Sequence, residues 1–381
     1  MLPERYQTHL TTQLTKTQYL MISVLIQLLQ NYRWVRLEEL ANKFPCLILF
    51  ESRRRKLQRF LELPSLTLEA IWLPIFSAWL RQRYSSHEVL YIAIDRTRWR
   101  SINLIMISLI VEKRAIPIYF ELLDHIGNSD LETQQALLGR VLPLFKEYKK
   151  VILGDREFCS VDLAKWLKEQ GKTYFCLRLK RNEYIEIKKD VWVQLQKVGL
   201  APGVSLYFQG VKLTKTKGFS EANIACKWKR KYRGWTAEEG WFILTNLDNL
   251  AQALASYEKR FGIEEMFRDF KSGGYNLEET MVQEKRLMTL ILLITLAYSQ
   301  ATVSGEIIKN SGVAKYVGRV REKGRTERRH SDFYLGLHGQ AWVKSLQLFA
   351  QETQELMNLS RHKCANYRRG MMAASLIASA F

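Results

Sequence analysis

The spacing of apolar and polar residues changes character along the chain and predicts three kinds of region. Residues 1 to about 84 place apolar side chains at helical spacing. From Val89 the pattern shifts to short runs of β-branched and aromatic residues, which are typical of strands. The segments from there to about residue 179 predict the order βββαβαβ. We therefore expect an α/β protein with a mixed sheet and an all-helical N-terminal part.

The predicted segment order resembles the ribonuclease-H-like fold, in which three antiparallel strands are followed by parallel crossovers. A β-rich stretch interrupts the core before helical spacing returns. We expect five regions. These are a helical DNA-binding domain (1–84), the first part of a ribonuclease-H-like core (85–179), a β-rich basic insertion (180–247), the second part of the core (248–304) and a C-terminal helical region for DNA contact or dimerisation (305–381).

Two aspartates are each predicted to end a buried apolar strand. Asp95 follows the run VLYIAI, and Asp155 follows KVILG. Strand ends of an α/β sheet open into the crevice where ligands bind. An aspartate at a strand end can also be a simple cap or turn residue, and this alternative stays open for either residue taken singly.

A third acidic position lies in the stretch YEKRFGIEEMFRDFK. If this stretch forms one helix, Tyr257, Arg260, Glu264 and Lys271 lie along a single face. A carboxylate flanked by Arg and Lys suits a metal ion held beside a phosphate. The alternative is a solvated amphipathic helix with ordinary ion pairs.

Three carboxylates brought together repel one another unless a cation neutralises them. Hard divalent ions prefer oxygen ligands, and Mg²⁺ typically combines carboxylates with substrate phosphate oxygens. Two such ions can promote displacement at phosphorus without a catalytic histidine or cysteine. The five cysteines and six histidines show no metal-ligand spacing. We therefore expect a two-ion Mg²⁺ site, with Mn²⁺ able to substitute.

The charge balance indicates a polyanionic partner. The chain of 381 residues has a formal net charge of +20, which favours binding to nucleic acid or to an acidic membrane surface. The most apolar run, Leu287 to Ala297, is about half the length needed to span a bilayer. The first residues lack the apolar segment of a signal peptide. We expect no membrane association and a reducing, cytoplasmic location close to the nucleoid.

The N-terminal region contains a short helix, a break at Phe44-Pro45 and a second, basic helix. This order is typical of a helix-turn-helix, whose second helix meets DNA with its N-terminal residues. The alternative is a plain helical bundle with a basic surface. The candidate DNA-binding residues at the start of the second helix are Arg53, Arg54, Arg55 and Lys56.

The predicted insertion is strongly basic and rich in aromatic residues. Residues 180–235 contain 13 Lys or Arg against 4 Asp or Glu. Cations can hold a phosphate backbone while aromatic rings stack on unpaired bases; the alternative is a solvated hairpin with its tryptophans packed inward. The interleaved residues are Lys227, Trp228, Lys229, Arg230, Lys231, Tyr232, Arg233 and Trp235.

Taken together, these motifs resemble the DDE transposases of bacterial insertion sequences, specifically the insertion-sequence-four family with its YREK signature. The signature reads Tyr257-x2-Arg260-x3-Glu264-x6-Lys271, with LGDREF around Asp155 and DFKSGGYNLEET after the signature. The resemblance covers roughly residues 30 to 300.

The resemblance implies roles for individual residues. Asp95, Asp155 and Glu264 would bind the catalytic metals. Phosphates near the transposon end would be held by Tyr257, Arg260 and Lys271, with Arg268 a further candidate. The implied reaction is cut-and-paste transposition through a hairpin intermediate, on double-stranded DNA, by a homodimer.

In this family a tryptophan of the insertion stacks on a base that is flipped out during hairpin formation. Trp241 in GWFILT best matches that context, with Trp228 and Trp235 as weaker candidates. A core tryptophan on a strand is the alternative for Trp241. Two other functions stay open at this level: a catalytically inactive DNA-binding regulator derived from a transposase, and a structure-selective nuclease with the same fold.

Overall fold

The computed structural model describes residues 2–214, 219–230, 237–319, 321–324 and 329–381. The chain divides into two compact units. One consists of Met1–Ala78 together with Arg268–Phe381, and the other consists of Trp79–Phe267. The finer division into five regions stays a prediction.

Helices and strands of the described residues are numbered here in chain order. The helices are α1 (Glu4–Gln13), α2 (Lys16–Tyr32), α3 (Leu37–Lys43), α4 (Phe50–Leu61), α5 (Leu73–Arg83), α6 (Leu131–Val141), α7 (Val161–Glu169), α8 (Leu250–Glu258), α9 (Phe261–Phe270), α10 (Glu284–Asn310), α11 (Asp332–Leu348), α12 (Ala350–Leu359) and α13 (Cys364–Ala378). The strands are β1 (Val89–Trp99), β2 (Ile102–Val111), β3 (Arg114–Leu122), β4 (Lys149–Gly154), β5 (Thr173–Arg178), β6 (Tyr184–Lys188), β7 (Val191–Gln194), β8 (Ser205–Leu213), β9 (Phe219–Lys227) and β10 (Trp241–Thr245).

The unit formed by Trp79–Phe267 is built on one ten-stranded sheet. Its strand order is β3-β2-β1-β4-β5-β10-β9-β8-β6-β7. Strands β1, β2 and β3 pair antiparallel, while β4 runs parallel to both β1 and β5. The prediction of a mixed α/β fold is confirmed, and the elements from β1 to β5 follow the expected order βββαβαβ. Helices α6 and α7 supply the crossovers that parallel pairing requires.

The β-rich stretch predicted as an insertion continues this same sheet. Strand β10 pairs antiparallel with β5 on one side and with β9 on the other. The strands beyond it, β9, β8, β6 and β7, also pair antiparallel. The predicted strand positions therefore hold, and tertiary pairing joins them to the edge of the core sheet.

The other unit is helical and is centred on α10. Most residues of this 27-residue helix are buried, and it packs against α2, α4 and α11. The α10–α11 crossing is close, because a Cβ added at Gly336 would overlap the backbone carbonyl of Ala301. Within the described residues α10 is long and apolar enough to cross a membrane, but 89% of its apolar window lies inside the protein, as in a core helix.

Candidate active site

The two aspartates predicted at strand ends occupy matched positions on neighbouring parallel strands. The last paired residues of β1 and β4 are Ile94 and Gly154; Asp95 is the next residue of β1, and Asp155 directly follows the end of β4. The prediction that Asp95 ends its strand is wrong: β1 continues to Trp99, because its pairing with β2 extends beyond the end of β4. Register places the two aspartates side by side all the same.

The third acid, Glu264, lies on the second of two short helices, where the sequence predicted one continuous helix. Helix α8 ends at Glu258 and α9 begins at Phe261. Turn hydrogen bonds link the Arg260 N–H to the Tyr257 carbonyl (3.0 Å) and the Gly262 N–H to the Lys259 carbonyl (2.9 Å). The break leaves Tyr257 at the end of α8 and Glu264 in the first turn of α9.

A close contact with the β2–β3 hairpin fixes the start of α9. A Cβ at position 262 would lie 2.9 Å from the carbonyl oxygen of Arg114, so only glycine allows this approach without a shift. Beside it, the Arg114 guanidinium donates to the Glu265 carboxylate at 2.8 Å. Together these contacts place the helix turn that carries Glu264.

Arg260 is the residue that joins the acids. Its Nη1 donates to Asp95 Oδ2 at 2.9 Å, and its Nη2 donates to Glu264 Oε1. The side chain of Arg260 is only 5% exposed, against 18% for Asp95 and 44% for Glu264. Two acids separated by 169 positions in the sequence are thus bridged by one buried cation.

The electrostatics of this group follow from burial. Desolvation raises the pKa of Asp95 to about 6, although Arg260 and the Arg96 backbone N–H favour the charged form; Asp155 and Glu264 add to the rise. Burial alone would lower the pKa of Arg260, but the neighbouring Tyr257 and the acids outweigh it and raise that pKa. Arg260 therefore stays charged, while Asp95 titrates near neutrality.

Asp155 has its own set of donors. The Tyr257 hydroxyl donates to Asp155 Oδ1 at 3.4 Å, and the Arg178 guanidinium lies 3.7 Å from the same oxygen. Arg178 also donates to Glu239 at 2.8 Å, and Glu239 forms a second ion pair with Arg156. Burial raises the pKa of Tyr257, so its hydroxyl remains a proton donor at neutral pH.

An aromatic group lies next to these residues. The Trp241 ring meets the Tyr257 ring edge-on, with centroids 5.2 Å apart, and lies 6.1 Å from the Phe261 ring. The Lys229 ammonium lies over the Trp241 ring at 4.8 Å. Trp241 is only partly buried, so it is not a fully enclosed core residue. Trp228, the weaker candidate, donates its indole N–H to the Ala237 carbonyl at 2.9 Å.

The described residues contain no group of three or more His, Cys, Asp or Glu side chains arranged to hold a metal ion. In this structure the Arg260 guanidinium stands between two of the three acids. Carboxylate oxygens are nevertheless the ligands that a hard divalent ion prefers, and Asp155 and Glu264 both lie near enough to Asp95 to help raise its pKa. The residues fit such an ion if Arg260 turns away.

The remaining candidate DNA contacts show other partners. Arg53 donates to the carbonyls of Ala41 and Ile48, both at 2.8 Å, and so stabilises the α3–α4 turn. Arg54 and Arg55 both pair with Glu51, and Lys56 is partly buried. In the helical unit, Lys271 donates to Glu278 at 2.7 Å, and Arg268 lies in the last turn of α9. Lys231, Tyr232, Arg233 and Trp235 lie outside the described residues.

Sequence reasoning missed two ion pairs at this site. Arg96 pairs with Glu157, and Arg178 pairs with Glu239. The first left a signal, because each of its members lies within two positions of a candidate acid and the two carry opposite charge. The second could not be found from spacing, since its partner enters from the segment before β10.

A mixed sheet with two adjacent aspartates, and a helix that supplies a third carboxylate, is typical of enzymes that carry out phosphoryl transfer at a site of acidic side chains. Residues 92–299 match the family model described as the transposase DDE domain, and the chain belongs to this family. It is a DDE transposase, an enzyme of metal-dependent DNA cleavage and transposition. The predicted enzyme class is thereby confirmed, whereas the insertion-sequence-four placement and its YREK signature stay predictions.

Comparison with solved structures found a likeness to the piggyBac transposase, in a cryo-EM structure of its synaptic complex with hairpin DNA. The identity is 12% and the TM-score is 0.45, over 92% of this chain and 78% of that chain. Among curated proteins no sequence matches this chain.

Proposed function

We propose that this enzyme is the transposase of a bacterial insertion sequence of the insertion-sequence-four family. It would bind the terminal inverted repeats of its own element and excise the element by cut-and-paste transposition through a hairpin intermediate. The core would be ribonuclease-H-like, an assignment supported by the strand order β3-β2-β1-β4-β5 with β1, β4 and β5 parallel. We place the protein in the cytoplasm, at the nucleoid.

One observation carries the proposal: Asp95 and Glu264 share the Arg260 guanidinium while Asp155 receives the Tyr257 hydroxyl. Carboxylates from two strands and a helix are thus drawn to one place by residues of the same signature. Like charges gathered in a partly buried place cost free energy unless a cation is present. Here Arg260 and Arg178 supply that charge, and the same carboxylates suit a protein that also binds metal ions there.

The carboxylates of Asp95, Asp155 and Glu264 would hold two Mg²⁺ ions, for which Mn²⁺ can substitute. When bound, such ions supply activation of the attacking oxygen and neutralise charge on the leaving oxygen of a phosphodiester. Each stage of cut-and-paste transposition is a displacement of this kind, with water or a 3′-hydroxyl attacking. One carboxylate site can therefore serve every stage.

The chain's own cations and donors would bind the DNA. Arg260 is paired with acids here. With metal ions held by the carboxylates, its guanidinium would instead hydrogen-bond to a DNA phosphate. Tyr257 and Lys271 would hold further phosphates, with Arg268 as an additional contact. A guanidinium forms paired hydrogen bonds to phosphate oxygens as well as to carboxylates, so the exchange would leave Nη1 and Nη2 of Arg260 with acceptors.

Trp241 would stack on a base flipped out during hairpin formation. Its place beside Tyr257 and its partial exposure support this role. Stacking on an aromatic face can offset the few kcal/mol needed to unstack a base.

The N-terminal helices would recognise the element's ends, with Arg54, Arg55 and Lys56 available to phosphates. Arg53 would act indirectly, through the α3–α4 turn that it holds. We propose that the DNA complex is a homodimer, as paired ends require two active sites.

The direct test is Asp155→Asn, assayed on a DNA fragment carrying the sequence that flanks this gene, with Mg²⁺. The amide keeps the shape of the side chain but loses the charge that binds cations. We expect cleavage to fall at least 1,000-fold, in line with the loss of a principal catalytic group, while the Kd for the same DNA stays within about twofold.

Asp124→Asn is the matched control, because Asp124 is an exposed acid near the end of β3 that has no proposed role. This variant should cleave like the wild type. Full cleavage by Asp155→Asn would refute the assignment of the site. A wild-type protein that binds the fragment but never breaks a strand would instead indicate a regulator, and cleavage that ignores the terminal sequence would indicate a nuclease.

A further inference from the structure

A partly buried ion pair connects the segments that follow the two candidate aspartates. Arg96 Nε lies 2.9 Å from both oxygens of the Glu157 carboxylate, and Arg96 Nη2 lies 2.9 Å from Oε2. The two side chains are only 15% and 13% exposed. Arg96 is the residue directly after Asp95, and Glu157 is the second residue after Asp155.

Both members of the pair have further partners, on β2 and in the loop between β3 and α6. Arg96 Nη1 donates to the side-chain oxygen of Asn103 on β2 at 2.9 Å, and Nη2 donates to Asn128 at 3.3 Å. Glu157 Oε1 also accepts hydrogen bonds from the backbone N–H and the hydroxyl of Ser129, at 2.9 and 3.1 Å. Every nitrogen of the guanidinium head group is therefore used, which fixes its orientation.

This network holds the backbone segments next to both aspartates. Consecutive residues of a strand point to opposite faces, so Arg96 secures β1 from the face opposite to Asp95. Glu157 lies in a short 3-10 turn, in which the Phe158 N–H donates to the Asp155 carbonyl at 2.9 Å. Strand register sets the two aspartates side by side, and the position of that turn relative to β1 then affects how far apart their carboxylates lie.

We propose that Arg96 and Glu157 are positioning residues, which set the separation of Asp95 and Asp155 for the displacement at phosphorus. The inference rests on the proposed role of those two acids. Ion pairs removed from solvent add little stability compared with well-packed apolar side chains, and in some proteins they are retained because they specify a single geometry. Catalysis is sensitive to such geometry, since a displacement of about 1 Å can cost about 100-fold in rate.

Glu157→Gln tests the inference, because it keeps the size and one acceptor but removes the charge. We expect kcat for nicking of the flanking-sequence fragment to fall about 10- to 100-fold, while KM and the DNA Kd stay within about twofold. The measurement is made with saturating Mg²⁺, at a temperature where circular dichroism shows each protein to be folded.

Lys150→Met is the matched control for lost stability. Lys150 lies at the opposite end of β4 from Asp155, is 2% exposed, and donates to the carbonyls of Phe145 and Gly171 at 3.3 and 2.7 Å. Its removal also breaks a buried polar contact of the same strand. We expect this variant to melt at a lower temperature yet to keep kcat per folded molecule within about twofold.

Glu157→Asp serves if the glutamine variant does not fold, because it keeps the charge but shortens the side chain and shifts the pair. It should show the same loss in kcat with little change in KM. An unchanged kcat in the folded Glu157→Gln or Glu157→Asp variant would overturn this inference but not the proposed function. An equal loss of kcat in Lys150→Met would do the same. A wild-type protein that fails to nick would overturn the proposed function, and this inference with it.

Discussion

Replacing Arg260 by methionine isolates the role of the cation between the acids. Methionine keeps an apolar stem of similar length but removes the charge and the donors to Asp95 and Glu264. Removing one partner of a buried ion pair typically costs about 3–5 kcal/mol, because the other charge is left without compensation. Glu264 is 44% exposed and contributes little to this cost, so most of it falls on Asp95.

The loss should depend on pH in a defined direction. The pKa of Asp95 is about 6, above the ordinary 3.8, so this group stabilises the fold at low pH and ceases to do so as the pH rises through about 6. Without Arg260, which lowers that pKa, the titration moves to still higher pH. The variant's deficit should thus be small at pH 5, where Asp95 is largely protonated, and should reach about 3 kcal/mol or more above pH 8.

The assay is denaturant unfolding at pH 5 and pH 8, with and without Mn²⁺. Because the guanidinium competes with a metal ion for the carboxylates, we expect Mn²⁺ to stabilise Arg260→Met more than the wild type at pH 8. A deficit that is equal at both pH values, together with equal Mn²⁺ stabilisation of the two proteins, would refute the reasoning. If Arg260 bound only DNA phosphates, neither difference would arise.

Two further predictions concern DNA contacts. Trp241→Ala should leave the rate of the first nick within about twofold of wild type. It should slow the second-strand step about 5- to 150-fold, the equivalent of losing about 1–3 kcal/mol of base stacking. Denaturing gels resolve the two steps, and equal slowing of both would contradict a stacking role. The double variant Arg319→Ala/Arg321→Ala removes two exposed cations from a basic pocket of about 430 Å³ in the helical unit. It should lower the slope of log Kd against log salt by about 2 if both side chains contact phosphates, whereas Lys16→Ala/Lys363→Ala, elsewhere on exposed surface, should leave that slope unchanged.

The positions of the secondary-structure elements could be predicted well from local pattern. Strands β1 to β10 lie where β-branched and aromatic runs were found, and the crossover helices lie where apolar spacing indicated them. These signals are local, because burial of one face of an element requires a regular repeat along the chain. Pairing between distant strands leaves no such repeat, so the junction of β10 with β5 was not predictable.

The candidate site shows the same division. Residue types and spacing alone single out Asp95, Asp155 and Glu264 as candidates, and their catalytic role stays a prediction. The helix break at Lys259 and Arg260 escaped prediction because helical spacing continues through it; directly after the break, Gly262 packs closely against the hairpin, a tertiary contact that leaves no sequence signal. Arg53 was expected at DNA because it is basic, yet its contacts with two backbone carbonyls depend on the shape of the α3–α4 turn.

By itself the sequence determined the mixed α/β composition, the helical N-terminal part, the net positive charge and the acids available for a metal site. Those properties depend only on residue types and on repeats between near neighbours, both of which the amino-acid sequence contains directly. Only the tertiary structure decided that Arg260 lies between two of the acids and that Arg96 and Glu157 connect the segments beyond the aspartates. The physical reason is that both arrangements are fixed by strand register and by desolvation of charges far apart in the chain, and neither quantity exists before the sheet has formed.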